Sequence, residues 1–225
     1  MYVFSMLAEG TQPSEAVAVA PSANEVRSAR TRAQLIDAAL SALIDLGFVR
    51  TTGVEVCRRA GLTRGALNHH FPDYGDLLAA ALAASYDRML DLAPPPPGAG
   101  PIEGWVHQAH SCIARPEFKA ILELWLASQN DPELGATLSG AMVRGAPMFD
   151  PLSTLADRDV VVTDEVEAVY RTIVEAFIGL GVGRSVSGGR PLGHEHAVVD
   201  VLIGLARDLD RRLDPHVSKR ALTSA

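Results

Sequence analysis

Between Thr51 and Leu78 the chain reads TTGVEVCRRAGLTRGALNHHFPDYGDLL, and the stop and start signals in that segment leave little choice of local structure. Thr52 caps a short helix running to Ala60, Gly61 breaks it, and Thr63 caps a second that runs through His69 and ends before Pro72. Two short helices sharing a tight glycine-containing turn have helix-turn-helix geometry. Val56, Ala60, Leu62, Leu67 and Phe71 supply a small apolar seam that holds the pair at a steep angle. The outer face of the second helix is then free, and Thr63, Arg64, Asn68 and His69 lie on it near a helix N-terminus, the end that favours phosphate.

Helical spacing continues on both sides. Leu35, Ala39, Ala42, Leu43 and Leu46 share one face of a helix from Arg30 to Leu46 that Gly47 stops. Asp76 to Leu92 is a longer amphipathic helix with Leu78, Ala81, Leu82, Ser85 and Met89 on one side, closed by the run Pro94 to Pro97. Helices over Ile102 to Ala114 and Glu117 to Ser128 follow, then one starting at Asp131 and Pro132 that becomes ambiguous past Gly145. Thr163, Asp164 and Glu165 open another, with Val166, Val169, Tyr170, Ile173, Phe177 and Leu180 on one face. The last spans Glu195 to Leu213, with Val198, Val201, Leu202, Leu205 and Leu209 aligned. No strand pattern and no internal repeat is present, so the predicted fold class is all-α. The expected divisions are a flexible tail at 1–28, an N-terminal three-helix domain with the helix-turn-helix at 29–75, a helical domain at 76–215 and a C-terminal tail at 216–225.

Composition narrows the function classes. The chain has 225 residues, 48% of them hydrophobic and 21% charged, enough for a real core and too polar for wholesale disorder. No run reaches the roughly 18 apolar residues of a membrane span, and the N-terminus lacks the basic and apolar regions of a signal peptide. Cys57 and Cys112 alone make neither a disulfide framework nor a four-cysteine metal site, which fits a reducing cytoplasm. The net charge of −7 argues against nonspecific nucleic-acid binding, yet it is unevenly spread. Residues 24–75 hold seven arginines against five acids, a mildly basic head on an acidic body, and arginine suits phosphate forks and guanine edges.

At these residues the sequence resembles the TetR/AcrR family of transcriptional regulators. The resemblance covers about Arg30 to Leu78 and rests on RTRAQLIDAAL, a Gly-Phe pair before the threonines, the Ala-Gly-aliphatic-Thr turn, Gly-Ala-Leu, His-His-Phe-Pro and the downstream Asp-Leu-Leu. It implies a homodimer whose N-terminal domain binds a double-stranded DNA operator and whose C-terminal helices bind a small-molecule effector that releases DNA, most simply a repressor. Carried over by position, Thr63 resembles the residue that caps the recognition helix and touches phosphate, and Arg64 the one that reaches bases. Thr52 resembles the capping threonine of the preceding helix, also close to phosphate, while His69 and His70 stand near backbone and base edges. Three positions depart from the pattern. Asn68 stands where the family often has a phosphate-binding tyrosine, Tyr74 where a lysine pairs with phosphate, and Gly53 where an aliphatic is common. Asn68 can pair with adenine, whereas the missing lysine flattens the salt dependence by about one phosphate contact.

Each of these readings has a plainer counterpart. Arg64 as a base reader competes with a phosphate-only or solvated arginine, and His70 as a contact competes with a fold buttress. Trp105, Trp125, Met142, Phe149, Tyr170 and Phe177 are core by default, but together they also outline a pocket for a largely apolar effector. His107, His110, Cys112 or Gln129 would supply its polar contacts. Ile173, Phe177, Leu180, Val198, Val201, Leu202 and Leu205 on the last two helices, with Gly179, Gly181 and Gly183 allowing close approach, are the expected dimer interface; the alternative is intramolecular core. His194, Glu195 and His196 diverge on a helix and lack a third ligand, so no metal is expected, and no cofactor. Without a matched nucleophile and base or a paired-carboxylate motif, an enzyme is not expected. An all-α enzyme and a DNA-binding regulator controlled by a protein partner remain the alternatives.

Overall fold

The computed structural model describes residues 22–90, 94–145 and 163–213. Among these residues there are nine helices and no strand: α1 (Ala23–Leu46), α2 (Gly53–Ala60), α3 (Arg64–His70), α4 (Tyr74–Leu90), α5 (Pro101–Ile113), α6 (Pro116–Asn130), α7 (Pro132–Gly145), α8 (Asp164–Val186) and α9 (Glu195–Leu213). No described helix is long and apolar enough to cross a membrane. The stretch past Gly145, with Phe149, lies outside the described residues, as do the last two positions expected for the fourth helix and the segment 216–225.

Helix ends fall where backbone groups find local partners. Thr52, Thr63 and Thr163 each accept a backbone N–H three residues on, and Gly47 and Gly61 close α1 and α2 with φ of 78° and 65°, a region open to glycine. The first helix starts well before the expected Arg30. Ser22 accepts from the Glu25 amide at 3.3 Å and Glu25 Oε2 accepts from the Ser22 amide at 2.7 Å, so a capping box makes residues 23–28 helical where a tail was expected. The Ser-x-x-Glu signal was present in the sequence.

Helices α1 to α3 form the head. α4 runs from it into the body, packing on α1, α6 and α7, while α5 packs on α8 and α9. One apolar core is continuous from Leu35 and Leu43 through Leu67, Phe71, Leu77 and Leu82 to Phe118, Ile121, Leu138 and Ile173. Two side chains of α6 hold the end of α1. Lys119 Nζ donates to the Ile44 carbonyl, and Glu123 Oε2 accepts from the Phe48 amide at 2.8 Å. A salt bridge from Arg88 of α4 to Asp37 of α1 adds a further tie.

The aligned face of α8 is buried within the chain, the alternative to a dimer interface, and α9 is turned from its expected orientation. Ile173, Phe177, Leu180 and Leu202 are at most 5% exposed, and as parts of the chain's own core they are not available to a second subunit. Gly181 packs within the chain as well, since a Cβ there would meet the Phe118 ring at 2.1 Å, and Gly183 faces Leu192. On α9 the buried stripe is Glu195, Val199, Leu202, Ala206 and Leu209, which leaves Val201 63% exposed and Val198 and Leu205 half-buried. Glu195 heads that stripe. It is fully buried, takes two bonds from the Arg184 guanidinium at 2.6 and 2.8 Å and one from the Leu192 amide, and meets His110 Nε2 at 2.8 Å. With the ion pair on the inner face, the helical period places Val199, Leu202, Ala206 and Leu209 beside it.

Candidate nucleic-acid interface

In the head, α2 and α3 meet across Gly61, where the Leu62 amide donates to the Cys57 carbonyl at 3.1 Å. Val56, Leu67 and Phe71 are buried, with Ala60 and Leu62 packed partly against them. This is the expected seam, and it holds α3 with its outer face in solvent. Thr52, Thr63, Arg64, Asn68 and His69 are exposed, whereas His70 and Tyr74 are half-buried. Both cap hydroxyls accept a backbone N–H, from Glu55 at 3.3 Å and from Ala66 at 3.2 Å. A hydroxyl that accepts still has its own proton to donate, the geometry a phosphate oxygen requires.

The arginines divide into two groups. Arg59 bonds Asp45 at 2.6 Å, Glu55 at 2.7 Å and Ser41 at 2.7 Å, riveting α2 to α1, and Arg58 takes Glu55 from the other side. These two bonds pull the Glu55 carboxyl down to about 2. Arg32 lies over the Phe71 ring at 4.9 Å, and Arg50 donates to the Leu46 carbonyl. Arg27, Arg30 and Arg64 have no ion pair among the described residues. The local charge count therefore overstated the cations available to a phosphate backbone. The Glu55 to Arg59 spacing of four was legible, but the reach of Arg59 to Asp45 was not.

Tyr74 faces inward. Its hydroxyl donates to the Thr51 carbonyl at 2.5 Å, and burial raises its pKa to about 12. Thr51 is itself buried and donates to the Gly47 carbonyl at 2.8 Å. The position read as a phosphate contact thus ties the start of α4 to the turn before α2. His70 contacts His69, with ring centroids 5.2 Å apart, and lies along a groove with Arg32 and Phe71. Arg64 lies across the first turn of α2, so that a Cβ at Gly53 would come within 2.9 Å of its guanidinium. The glycine that departs from the expected aliphatic is what makes room for it.

The residues proposed for a pocket separate into two groups. Trp105 of α5 packs on Tyr170 and Phe177 of α8, with centroids 6.3 and 6.0 Å apart. Trp125 instead donates its indole N–H to the Tyr86 hydroxyl at 3.0 Å, and Met142 is half-buried on α7. The buried Cys112 thiol points at the Met89 carbonyl and is raised to about 11 by burial, which makes it a poor nucleophile. His107 lies 3.8 Å from Glu103, which Arg207 of α9 holds at 2.7 Å. His194 and His196 are exposed, and no group of three or more His, Cys, Asp or Glu among the described residues could hold a metal.

Residues 35–81 match the family model described as bacterial regulatory proteins, tetR family. Curated relatives include the HTH-type transcriptional regulator BetI of Cronobacter sakazakii, 34% identical over 117 residues that cover 46% of this chain and 56% of the relative. The BetI match thus spans a little over half of that protein. The HTH-type transcriptional regulator CymR of Pseudomonas putida is 28% identical over 163 residues, covering 69% of this chain and 80% of CymR. Among solved structures, the multidrug binding protein EbrR complexed with ethidium shares the fold, with a TM-score of 0.54 at 20% identity over 78% of this chain and 98% of that one. The relatives are named as regulators, not as enzymes.

Proposed function

The chain belongs to the tetR family of bacterial regulatory proteins by its residues 35–81, and from that premise we propose that it is a cytoplasmic, ligand-responsive repressor that binds a palindromic operator as a homodimer. The observation that carries the reading is α3, held by a buried seam and capped by Thr63, with Arg64, Asn68 and His69 exposed along it. Thr52 and Thr63 contact phosphate, Arg64 reads a base edge, and Asn68 and His69 lie along the groove. His70 buttresses the helix and Tyr74 positions it. Two such helices held roughly 34–36 Å apart enter successive major grooves.

The subunits meet through the stripe that the core leaves exposed or half-covered. On α9 it is Val198, Val201 and Leu205; beside it on α8 Val182 and Val186 are 43% and 85% exposed, and a Cβ at Gly179 would meet nothing. The effector is small and largely apolar, and the aromatic cluster of Trp105, Tyr170 and Phe177 supports that choice. The multidrug binding protein EbrR holds ethidium, a flat aromatic cation, in keeping with an aromatic-lined small-molecule site for this fold. An effector releases DNA to the extent that it favours a subunit arrangement with a different spacing of the two α3 helices. α4 joins head to body without a linker and transmits the change.

Selection of random duplexes by the purified chain at two salt concentrations tests this. Enrichment of a two-fold symmetric site is expected, and no enrichment at low salt by a folded dimer rejects it. On the selected site, Arg64→Ala is expected to cost about 1–3 kcal/mol and to relax preference at one base position per half-site. A uniform loss across sequences would make Arg64 a phosphate contact instead. Gly53→Ala tests the same residue from the other side. The added methyl meets only the tip of a flexible side chain, so the thermal midpoint is expected to stay within about 2 °C while base preference shifts. An unchanged preference would show that Arg64 does not depend on Gly53.

A further inference from the structure

We propose that the cleft between α1, the start of α6 and the end of α8 is a binding site for a small amphiphilic anion, a carboxylate carrying an apolar tail. The cleft has a volume of about 340 Å3, within the range of small-molecule sites, roughly 300–1,000 Å3. Its apolar wall is Ile44, Ile113 and Phe118; its polar wall brings together Arg115, Lys119 and Arg184 from two elements, and no Asp or Glu is among the residues that line it. It is separate from the aromatic cluster, because Trp105, Tyr170 and Phe177 take no part in its lining.

The three cations are not equivalent. Arg184 is neutralised by the buried Glu195, and Arg115 has Glu117 at 3.9 Å. Lys119 has no carboxylate partner among the described residues. Its ammonium donates to the Ile44 carbonyl, and an ammonium has two further donors. It is the group on which a carboxylate would land. The N-terminus of α6 opens at the same place without a side-chain cap, which adds the positive end of a helix dipole. The α8 carbonyls that would repel an anion are already taken, since those of Gly183, Arg184 and Ser185 accept from Ser187, Gly189 and Gly188.

The location gives such an anion a route to the head. No basic residue occupies the last turn of α1, and Lys119 joins Arg50, which donates to the Leu46 carbonyl, as a cation at that helix end. A carboxylate on the two remaining donors of Lys119 shares that ammonium with the Ile44 carbonyl and so bears on the end of α1. One turn further along α6, Glu123 holds the Phe48 amide and with it the turn that leads into α2. This coupling, unlike the site itself, rests on the DNA-binding reading above.

Calorimetric titration of the full chain with octanoate and with octanol, its uncharged counterpart, tests the site. One octanoate per chain is expected, with octanol at least about 10-fold weaker. Lys119→Met is expected to bring octanoate to the level of octanol and leave octanol unchanged, and Ser185→Leu, which fills the cleft without altering charge, to weaken both. Equal affinity for the two probes, octanoate binding indifferent to Lys119→Met, or no binding would each overturn the site. With operator DNA present, a fall in octanoate affinity of about 5-fold or more, matched by the reciprocal effect on DNA, supports the coupling. Octanoate binding with DNA affinity unchanged overturns the coupling alone, and a chain that binds octanoate but no DNA sequence overturns the regulator reading and leaves the site standing.

Discussion

Glu195→Gln is expected to destabilise the folded chain by about 3–5 kcal/mol, the cost of stripping one partner from a buried ion pair. For a chain of this size that corresponds to a fall of roughly 6–20 °C in thermal midpoint. Glutamine has nearly the volume of glutamate, so the effect isolates charge from packing. It leaves the Arg184 guanidinium, whose side chain is 10% exposed, without a counter-ion. The wild-type carboxyl is held down to about 2, first by the Arg184 hydrogen bonds and then, against the opposing effect of burial, by His110 and the Leu192 amide. A depressed carboxylate contributes stability that is fully present above its ordinary value of 4.5 and is lost as pH falls toward 2. The difference between wild type and variant is therefore expected to be constant from neutrality to about pH 5 and to shrink below it. Chemical denaturation at a series of pH values checks both parts, and a pH-independent difference would remove the electrostatic explanation. Joint replacement, Arg184→Met with Glu195→Leu, is expected to recover most of the loss, because the desolvation of both charges disappears together.

Val201→Glu is expected to leave the single chain folded and to abolish dimerisation. Val201 is 63% exposed, so a charge there disturbs little within one subunit. Across a two-fold axis every substitution occurs twice on the same patch, and two facing carboxylates cost several kcal/mol. A penalty of about 3 kcal/mol weakens association by more than 100-fold. Sedimentation at micromolar concentration is expected to give a monomer with unchanged helix content. Operator affinity is expected to fall with it, because one head alone contacts one half-site. A dimer that survives Val201→Glu would remove the exposed α8–α9 stripe from consideration as the interface.

Much of the fold was legible because the deciding interactions are local. The threonines at 52, 63 and 163 cap their own helices, Gly47 and Gly61 end theirs, and Pro101, Pro116 and Pro132 start others. The helix-turn-helix was readable for the same reason, since its seam and caps lie within Thr51 to Phe71. Legibility failed where a side chain finds a partner far along the chain. Tyr74 meets Thr51 and Arg59 meets Asp45, so the surface offered to DNA is narrower than its composition implied. The aromatic residues separated for a similar reason, Trp125 being drawn to Tyr86 and away from Trp105.

The sequence by itself determined that the chain is helical, where most helices begin and end, and that α3 carries a polar face, because capping and periodicity act within a few residues. Only the tertiary structure decided that the apolar face of α8 is core and not subunit interface, and which face of α9 joins it. Hydropathy spacing aligns Val198, Val201, Leu202, Leu205 and Leu209 on one face, offered as a subunit interface or as core. Arg184, eleven residues away, pairs with Glu195 inside the fold, on the face of α9 where Val199, Leu202, Ala206 and Leu209 are also buried. Val201 is left at the surface and Leu202 in the core, a choice that no local rule could have made.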